Sequence, residues 1–117
     1  MVKKKFGNKD SFYKLTFSAR VVKLALLVPR GKVTTYGALA RTAGGGPMSA
    51  QSITGILGKA YKLGVKEIPF HRIVYSDGRV WLDQAHDKKR RELYKKEGIE
   101  LDEKNRIVDF WDKLYEF

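Results

Sequence analysis

The fold is decided by the stretch Ile68-Pro69-Phe70-His71-Arg72-Ile73-Val74-Tyr75-Ser76-Asp77-Gly78-Arg79-Val80-Trp81. Its second half predicts a β-hairpin, because Asp-Gly between β-forming residues is a strong turn signal and glycine accepts the positive φ of a tight turn. Its first half is less regular, since a proline, a phenylalanine, a histidine and an arginine crowd together before the strand. Proline also restricts the residue before it to extended geometry. This mixture is more typical of a pocket wall than of a plain strand.

Amphipathic helices are predicted on the N-terminal side of this stretch. Apolar residues recur at three- and four-residue spacing from Phe12 to Val28, which indicates a helix that ends at Pro29-Arg30-Gly31. A short helix over 36–43 should follow, with Thr34 or Thr35 as its N-cap. Ser49 can cap the next helix, which places its apolar residues on one face.

The two short helices are separated by Gly44-Gly45-Gly46-Pro47, which resembles the break of a helix-turn-helix. Adding the hairpin as a wing predicts a mainly α fold with a small β-hairpin, a winged helix-turn-helix-like single domain. We place a flexible basic N-terminal arm at 1–11 and the domain at 12–117. The C-terminal part should contain a helix over 83–96 closed by Gly98, a short strand near 99–101 and a helical apolar stripe over 107–115.

The charge of the chain is strongly positive and unevenly distributed. The net charge is +11, and residues 1–96 carry 21 Lys and Arg against 6 Asp and Glu, whereas residues 97–117 carry 3 against 7. A basic body with an acidic C-terminal segment favours a polyanionic partner such as nucleic acid. The alternative is a lysine-rich solvated surface of the kind that heat-stable proteins have.

The residue types that are absent or rare exclude several classes of site. The sequence contains no cysteine and two histidines, so disulfides, thiolate metal sites and a cysteine nucleophile are excluded, and a histidine metal site is disfavoured. We expect no cofactor and no metal. No apolar run approaches a membrane span, and we expect no membrane partner, a monomer, and an intracellular location, either cytoplasmic with the nucleoid or nuclear.

The second helix of the pair is notable for its small polar residues. Its first two turns, within 48–58, hold no Arg, Lys or Asn, the side chains that read base edges in the major groove. Small residues and hydroxyls suit close approach to a minor groove and contacts to phosphates. The residues predicted to contact the DNA backbone are Thr35, Ser49, Ser52, Thr54, Lys59 and Lys62. The alternative is that Gly55 and Gly58 merely permit close packing against another helix.

The opening stretch also carries a resemblance to a known family. Ile68-Pro69-Phe70-His71-Arg72-Ile73-Val74 is similar to the Pro-Cys-His-Arg signature of the O6-alkylguanine-DNA alkyltransferases, with Phe70 in place of the alkyl-accepting cysteine. With that replacement the chain resembles the alkyltransferase-like proteins, which bind alkylated guanine in DNA without removing the alkyl group. The resemblance covers about residues 12–101. The other motifs occur in the family's order: 29–37 (Pro-Arg-Gly-Lys-Val-Thr-Thr-Tyr-Gly), 49–51 (Ser-Ala-Gln), 76–78 (Ser-Asp-Gly) and 96–98 (Lys-Glu-Gly).

The resemblance implies roles for individual residues. Gln51 matches the arginine that takes the place of the flipped base in the stack, a departure that removes a charge. His71 matches the base that activates the cysteine, and Glu97 the carboxylate behind it; without the nucleophile they become a hydrogen-bonded pair that holds the pocket. A phenyl ring offers no lone pair with which to accept an alkyl group. The residues assigned to the lesion pocket are Tyr36, Phe70, His71, Arg72, Tyr75, Ser76 and Trp81.

The resemblance implies a non-enzymatic protein that recognises O6-alkylguanine in double-stranded DNA. It would bind the minor groove, flip the damaged base and mark it for nucleotide excision repair proteins. Two alternatives remain open at this point. One is a winged helix-turn-helix regulator or architectural protein that flips no base, and the other is a damaged-base glycosylase in which His71, with Glu97 or Asp83, activates water.

Overall fold

The computed structural model describes residues 12 and 14–117, so the arm predicted at 1–11 lies outside the described residues. Two short strands and five helices form the regular structure of this part of the chain. The strands are β1 (Thr34–Thr35) and β2 (Ile73–Val74), and the helices are α1 (Phe17–Leu27), α2 (Tyr36–Thr42), α3 (Ile53–Lys62), α4 (Asp87–Lys96) and α5 (Phe110–Lys113). Two 3₁₀ turns, Ser49–Ser52 and Phe70–Arg72, precede α3 and β2. The predicted mainly α, single-domain fold is confirmed.

Local capping sets the helix ends. The Thr16 hydroxyl accepts a hydrogen bond from the Ala19 N–H at 3.1 Å, so α1 begins at Phe17 and is shorter than predicted. The Thr35 hydroxyl caps α2 as expected, accepting from the Ala38 N–H at 3.0 Å. Ser49 was predicted as a cap and is not one, because the chain already turns there into a 3₁₀ helix with no side-chain cap. Gly98 follows α4 with φ +73°, the left-handed C′ residue that the sequence predicted.

The predicted hairpin has its turn but a different strand pairing. The Tyr75 N–H donates to the Arg79 carbonyl at 3.0 Å, and Gly78 has φ +85°. However, β2 pairs in parallel with β1, in the register Thr34 with Ile73 and Thr35 with Val74. The chain after the turn pairs instead with the C-terminal segment, where the Val80 N–H donates to the Asn105 carbonyl at 3.0 Å. The wing is therefore completed by a segment distant in sequence.

Two clusters of buried side chains lie on either side of this small sheet. The first cluster joins α1, α2 and α3 to Ile68 and Ile73. The second is built from the strand ends, α4 and the C-terminal segment, with Val33, Val74, Val80, Tyr94, Ile99 and Ile107 buried. Burying such side chains stabilises the fold by roughly 1.5–3 kcal/mol each. The two clusters fix α3 and α4 on opposite sides of the Phe70–Tyr75 segment.

The C-terminal segment packs on the body, as its apolar stripe predicted. Val33 forms two backbone hydrogen bonds with this segment. Its N–H donates to the Lys113 carbonyl at 2.9 Å, and its carbonyl accepts from the Tyr115 N–H at 2.8 Å. Trp111 is the exception, since 80% of its surface is exposed. No helix in the described part of the chain has both the length and the apolar character needed to cross a membrane.

Candidate functional site

An aromatic cavity of about 340 Å³ opens between α2, α3, the Phe70–Tyr75 segment and α4. Its volume lies in the range of small-molecule sites. Most of its wall is apolar, and few polar groups reach it. The cavity is lined by Tyr36, Thr54, Leu57, Gly58, Phe70, Ile73, Tyr75, Trp81 and Arg90.

The rings of this cavity are held by contacts with one another and with cations. The centroids of the Tyr36 and Tyr75 rings lie 5.5 Å apart at an interplanar angle of 45°. The Arg90 guanidinium lies 5.0 Å from the centre of the Trp81 ring, and the Arg79 guanidinium 4.7 Å from that of Tyr75. Such cation–π contacts stabilise by about 0.5–1 kcal/mol at exposed sites. The result is a set of flat, positioned faces suited to a planar ring.

Burial raises the pKa of Tyr36, and the neighbouring Tyr75 raises it further. The Arg90 guanidinium and the Thr54 hydroxyl act in the opposite direction. Tyr36 therefore stays protonated at neutral pH, with a hydroxyl that can donate a hydrogen bond.

Four of the seven predicted pocket residues line the aromatic cavity: Tyr36, Phe70, Tyr75 and Trp81. The other three lie elsewhere. His71 is on the far side of Phe70 and lines a neighbouring cavity, Arg72 points to Glu97, and Ser76 is exposed on the turn. Their assigned roles at a lesion stay predictions.

A buried polar network supports the Phe70 segment from behind. His71 Nε2 lies 2.6 Å from Glu97 Oε2, the pair that the family resemblance implies. Arg72 donates to both oxygens of Glu97, at 3.0 and 2.9 Å, and to the Val28 carbonyl at 3.0 Å. The Gly31 N–H also donates to Glu97 Oε1 at 3.1 Å. One carboxylate thus ties the end of α4 to the Phe70–Arg72 turn and to the loop after α1.

The ionisation of this network follows from burial and from its hydrogen bonds. Burial alone would raise the pKa of Glu97, but the hydrogen bonds from Arg72, Gly31 and His71 outweigh it and hold that pKa at about 2. Burial lowers the pKa of His71, and the attraction of Glu97 does not fully compensate, since Arg72 and Arg90 oppose it. His71 is therefore neutral at pH 7 and donates its Nε2–H to Glu97. The hydrogen bonds of this network hold the Phe70–Arg72 turn in place.

Five residues of the cavity wall were not predicted there: the polar Arg90 and Thr54, and Leu57, Gly58 and Ile73. Arg90 lies in the helix predicted over 83–96, to which the sequence assigned no site residue, and Thr54 was predicted to contact the DNA backbone. A signal for Arg90 existed: it lies four residues before the buried Tyr94 on α4, and residues four apart share a helix face. Arg90 is half-buried, and its charge acts on Tyr36, His71 and Tyr94.

The outer face of α3 and of the 3₁₀ turn before it is unobstructed by the described residues. Gln51, Ser52, Thr54, Gly55, Lys59 and Lys62 are exposed. A Cβ added at Gly55 or Gly58 would meet no described atom within 4 Å. These glycines therefore do not serve close packing against another described helix. A glycine in a helix interior lowers helix stability by about 1 kcal/mol relative to alanine. No described residue near Gly55 or Gly58 requires a glycine, so these residues suit the close approach of another molecule.

Two of the hydroxyls predicted to contact the DNA backbone already form hydrogen bonds within the protein. Thr35 is buried and caps α2, and the Ser52 hydroxyl donates to the Ser49 carbonyl at 2.7 Å. Ser49 is half-buried.

Among residues 12 and 14–117, no group of three or more His, Asp or Glu lies together in a way that could hold a metal ion.

The chain is similar in sequence to proteins of one family. The profile of the 6-O-methylguanine DNA methyltransferase DNA-binding domain matches residues 16–99. An Escherichia coli K12 protein named DNA base-flipping protein is 33% identical over 84 residues, covering 72% of this chain and 63% of the relative. A methylated-DNA–protein-cysteine methyltransferase of Methanothermobacter thermautotrophicus is 34% identical over 87 residues, covering 74% of this chain and 46% of the relative. The matched part thus spans less than two thirds of either relative.

The fold is similar to that of two solved S. pombe structures. One is Atl1 in complex with damaged DNA containing O6-carboxymethylguanine, with a TM-score of 0.69 and 22% identity. The other is ATL in complex with DNA, with a TM-score of 0.62 and 22% identity. Each match covers 86% of this chain and 95% of the solved chain. At this identity the likeness establishes the fold.

Proposed function

Because the chain belongs to the family of 6-O-methylguanine DNA methyltransferase DNA-binding domains, we propose that it binds duplex DNA and holds a flipped O6-alkylguanine in the aromatic cavity without removing the alkyl group. The single observation that carries the proposal is the position of that cavity. It opens beside the exposed face of α3, and Thr54 and Gly58 of that helix are part of its wall. A base turned out of a duplex docked on α3 would therefore have a short path into the cavity.

The DNA approaches the face of α3 and of the 3₁₀ turn Ser49–Ser52. Gly55 and Gly58 let the backbone of the helix come close to the minor groove, where side chains with little sequence preference suffice. Lys59 and Lys62, in the last turn, neutralise phosphates. Gln51 is exposed on the 3₁₀ turn and takes the place of the flipped base.

The rings of the cavity hold the base. Extruding a nucleotide costs a few kcal/mol, and stacking on aromatic side chains returns about 1–3 kcal/mol per base. Tyr36, Tyr75, Phe70 and Trp81, which line the cavity, would supply these faces. Burial keeps the Tyr36 hydroxyl protonated by raising its pKa, and this hydroxyl would donate a hydrogen bond to the phosphate of the flipped nucleotide or to the base itself.

Alkyl transfer has no acceptor in this sequence. The chain has no cysteine, Phe70 offers no lone pair, and His71 donates its Nε2–H to Glu97. No observation favours the glycosylase alternative, because Glu97 is occupied by three donors and Asp83 Oδ1 accepts from the His86 N–H at 2.7 Å. The bound lesion, in bent DNA, would then serve as a mark for nucleotide excision repair proteins.

The proposal extends to the organisation of the chain. Residues 12–117 would act as one DNA-binding domain in an intracellular monomer, with 1–11 as a basic N-terminal arm. The acidic segment 97–117 packs beside α4 and β1.

The test of lesion recognition is a binding titration at fixed salt with duplexes that contain O6-methylguanine or guanine at one position. We expect tighter binding to the O6-methylguanine duplex. Equal affinities would falsify lesion recognition and leave a general DNA-binding protein.

The test of base flipping uses Tyr36→Phe and 2-aminopurine at the target position. We expect a rise in 2-aminopurine fluorescence on binding by the native protein, because flipping removes the stacking that quenches the base. Tyr36→Phe should reduce that rise and weaken lesion binding by about tenfold, the loss of one hydrogen bond to a charged group. A regulator that flips no base would show neither the rise nor the loss.

A further inference from the structure

Met48 places an exposed apolar side chain at the start of the 3₁₀ turn that precedes α3. The exposed fraction of this residue is 67%, and it lines neither the aromatic cavity nor its neighbour. The Gln51 N–H donates to the Met48 carbonyl at 3.3 Å, which is the i to i+3 hydrogen bond of a 3₁₀ turn. Side chains three residues apart in such a turn eclipse each other. Met48 and Gln51 therefore share one outward face of the turn.

We propose that Met48 inserts between base pairs beside Gln51, as an apolar wedge that kinks the duplex from the minor groove and stabilises the flipped state. The inference rests on the proposed function, because it needs a duplex on this turn and Gln51 in the place of the flipped base. A 3₁₀ turn rises about 2.0 Å per residue, so the two side chains lie about 6 Å apart along it, and stacked base pairs are about 3.4 Å apart. When Gln51 fills the vacated layer, Met48 meets the next base step.

The 3₁₀ turn is fixed to the body of the protein. The Ser52 hydroxyl donates to the Ser49 carbonyl at 2.7 Å, and the Ser49 N–H donates to the Gly46 carbonyl at 3.1 Å. Gly45 lies so close to the turn and to α1 that a Cβ there would come within 2.6 Å of Ser49 and 2.8 Å of Phe17. A side chain that unstacks base pairs needs a backbone that does not yield, and this packing provides one.

The chemistry of this surface favours DNA as the molecule that covers Met48. Proteins that bend DNA from the minor groove insert Phe, Leu, Ile, Met or Pro between base steps, and the flexible, polarizable methionine side chain adapts to irregular gaps. The sequence holds no Asp or Glu between Asp10 and Glu67, so no acidic residue near Met48 in the chain repels a phosphate backbone. Gln51 brings no charge to the stack, and an apolar neighbour would add insertion energy that an amide alone lacks.

The experiment compares the native protein with Met48→Ala, Met48→Gln and Met48→Leu on one O6-methylguanine duplex. Fluorescence anisotropy measures the dissociation constant, and energy transfer between dyes at the two duplex ends measures the bend. We expect Met48→Ala and Met48→Gln to raise the dissociation constant by about tenfold, the value of burying most of one methionine side chain, and to reduce the bend. Met48→Leu should retain both, because leucine is also an apolar wedge. The salt dependence of binding should stay the same in all three variants, because no charge changes.

Leu63→Ala is the matched control. Leu63 is 78% exposed and follows the last residue of α3, so the length of that helix, about 15 Å, separates it from the 3₁₀ turn. The variant removes a similar exposed apolar side chain and should leave the dissociation constant and the bend unchanged. An equal loss in Leu63→Ala and Met48→Ala would show that exposed apolar surface in general supports binding, and it would overturn the inference.

The outcomes for the inference and for the proposed function are distinguishable. 2-Aminopurine at the target position reports flipping by the native protein, and the absence of a fluorescence rise would overturn the proposed function. A rise, together with native affinity and bend in Met48→Ala, would overturn the inference alone. Native affinity in Met48→Gln would also overturn it, because length rather than apolar character would then decide the contact. Since the side chain is exposed, all three variants should keep the native melting temperature.

Discussion

Gly55→Ala should make the protein more stable and its DNA binding weaker at the same time. Gly55 lies in the interior of α3, and a Cβ placed there meets no described atom within 4 Å. The new methyl group therefore fits the free protein without strain. Alanine is favoured over glycine in a helix interior by about 1 kcal/mol, and for a domain of this size that raises the melting temperature by about 4 °C.

The loss of DNA affinity follows from the same geometry. If the minor groove lies against the backbone of α3, a methyl group at Gly55 occupies the space that the DNA needs. We expect the dissociation constant for an O6-methylguanine duplex to rise by about tenfold, equivalent to about 1.4 kcal/mol. Thermal denaturation measures the first effect, and fluorescence anisotropy at fixed salt measures the second.

Gly98→Ala is the matched control with the opposite signs. Gly98 has φ +73° after α4, so alanine is strained there and should destabilise the fold by about 1 kcal/mol. It lines neither of the two cavities and lies outside α3, so DNA affinity should be unchanged in the folded protein. A Gly55→Ala protein that gains stability and binds DNA as tightly as the native protein would refute the approach of DNA to this helix face.

Two further predictions concern the polar network and the charges. Glu97→Gln should lower the free energy of unfolding by about 2 kcal/mol, because it leaves the Arg72 guanidinium without its buried counter-charge. Urea unfolding measures this change. The control is Asp87→Asn, in an exposed ion pair, which should change the free energy of unfolding by less than about 0.5 kcal/mol. The folded-state pKa of Glu97 is depressed to about 2 from 4.5, so its contribution is fully present above about pH 4.5 and is lost as the pH falls through about 2; a pH-independent difference between native protein and Glu97→Gln across that window would contradict this. Lys59→Ala should reduce the slope of log affinity against log salt by about 0.9, while Lys104→Ala, in the acidic C-terminal segment, leaves it unchanged; equal slopes for the two variants would remove Lys59 from the DNA contacts.

The sequence alone was sufficient wherever a short stretch decides its own conformation. The Asp77-Gly78 turn, the Thr35 cap and the Gly98 helix end were all predictable, because each depends on the backbone preferences of residues within a few positions. The aromatic residues of the cavity were also predictable as a set, since Phe70 and Tyr75 belong to one motif.

Only the tertiary structure decided which residues face each other across the site. It paired β2 with β1, and it placed Arg90 between two cavities and His71 behind Phe70 rather than inside the aromatic cavity. It also showed that Gly55 faces open space. These outcomes depend on which distant segments bury their apolar faces together. Helical and strand periodicities fix which face of an element is buried, but the neighbour that covers it is chosen by the packing of the whole chain.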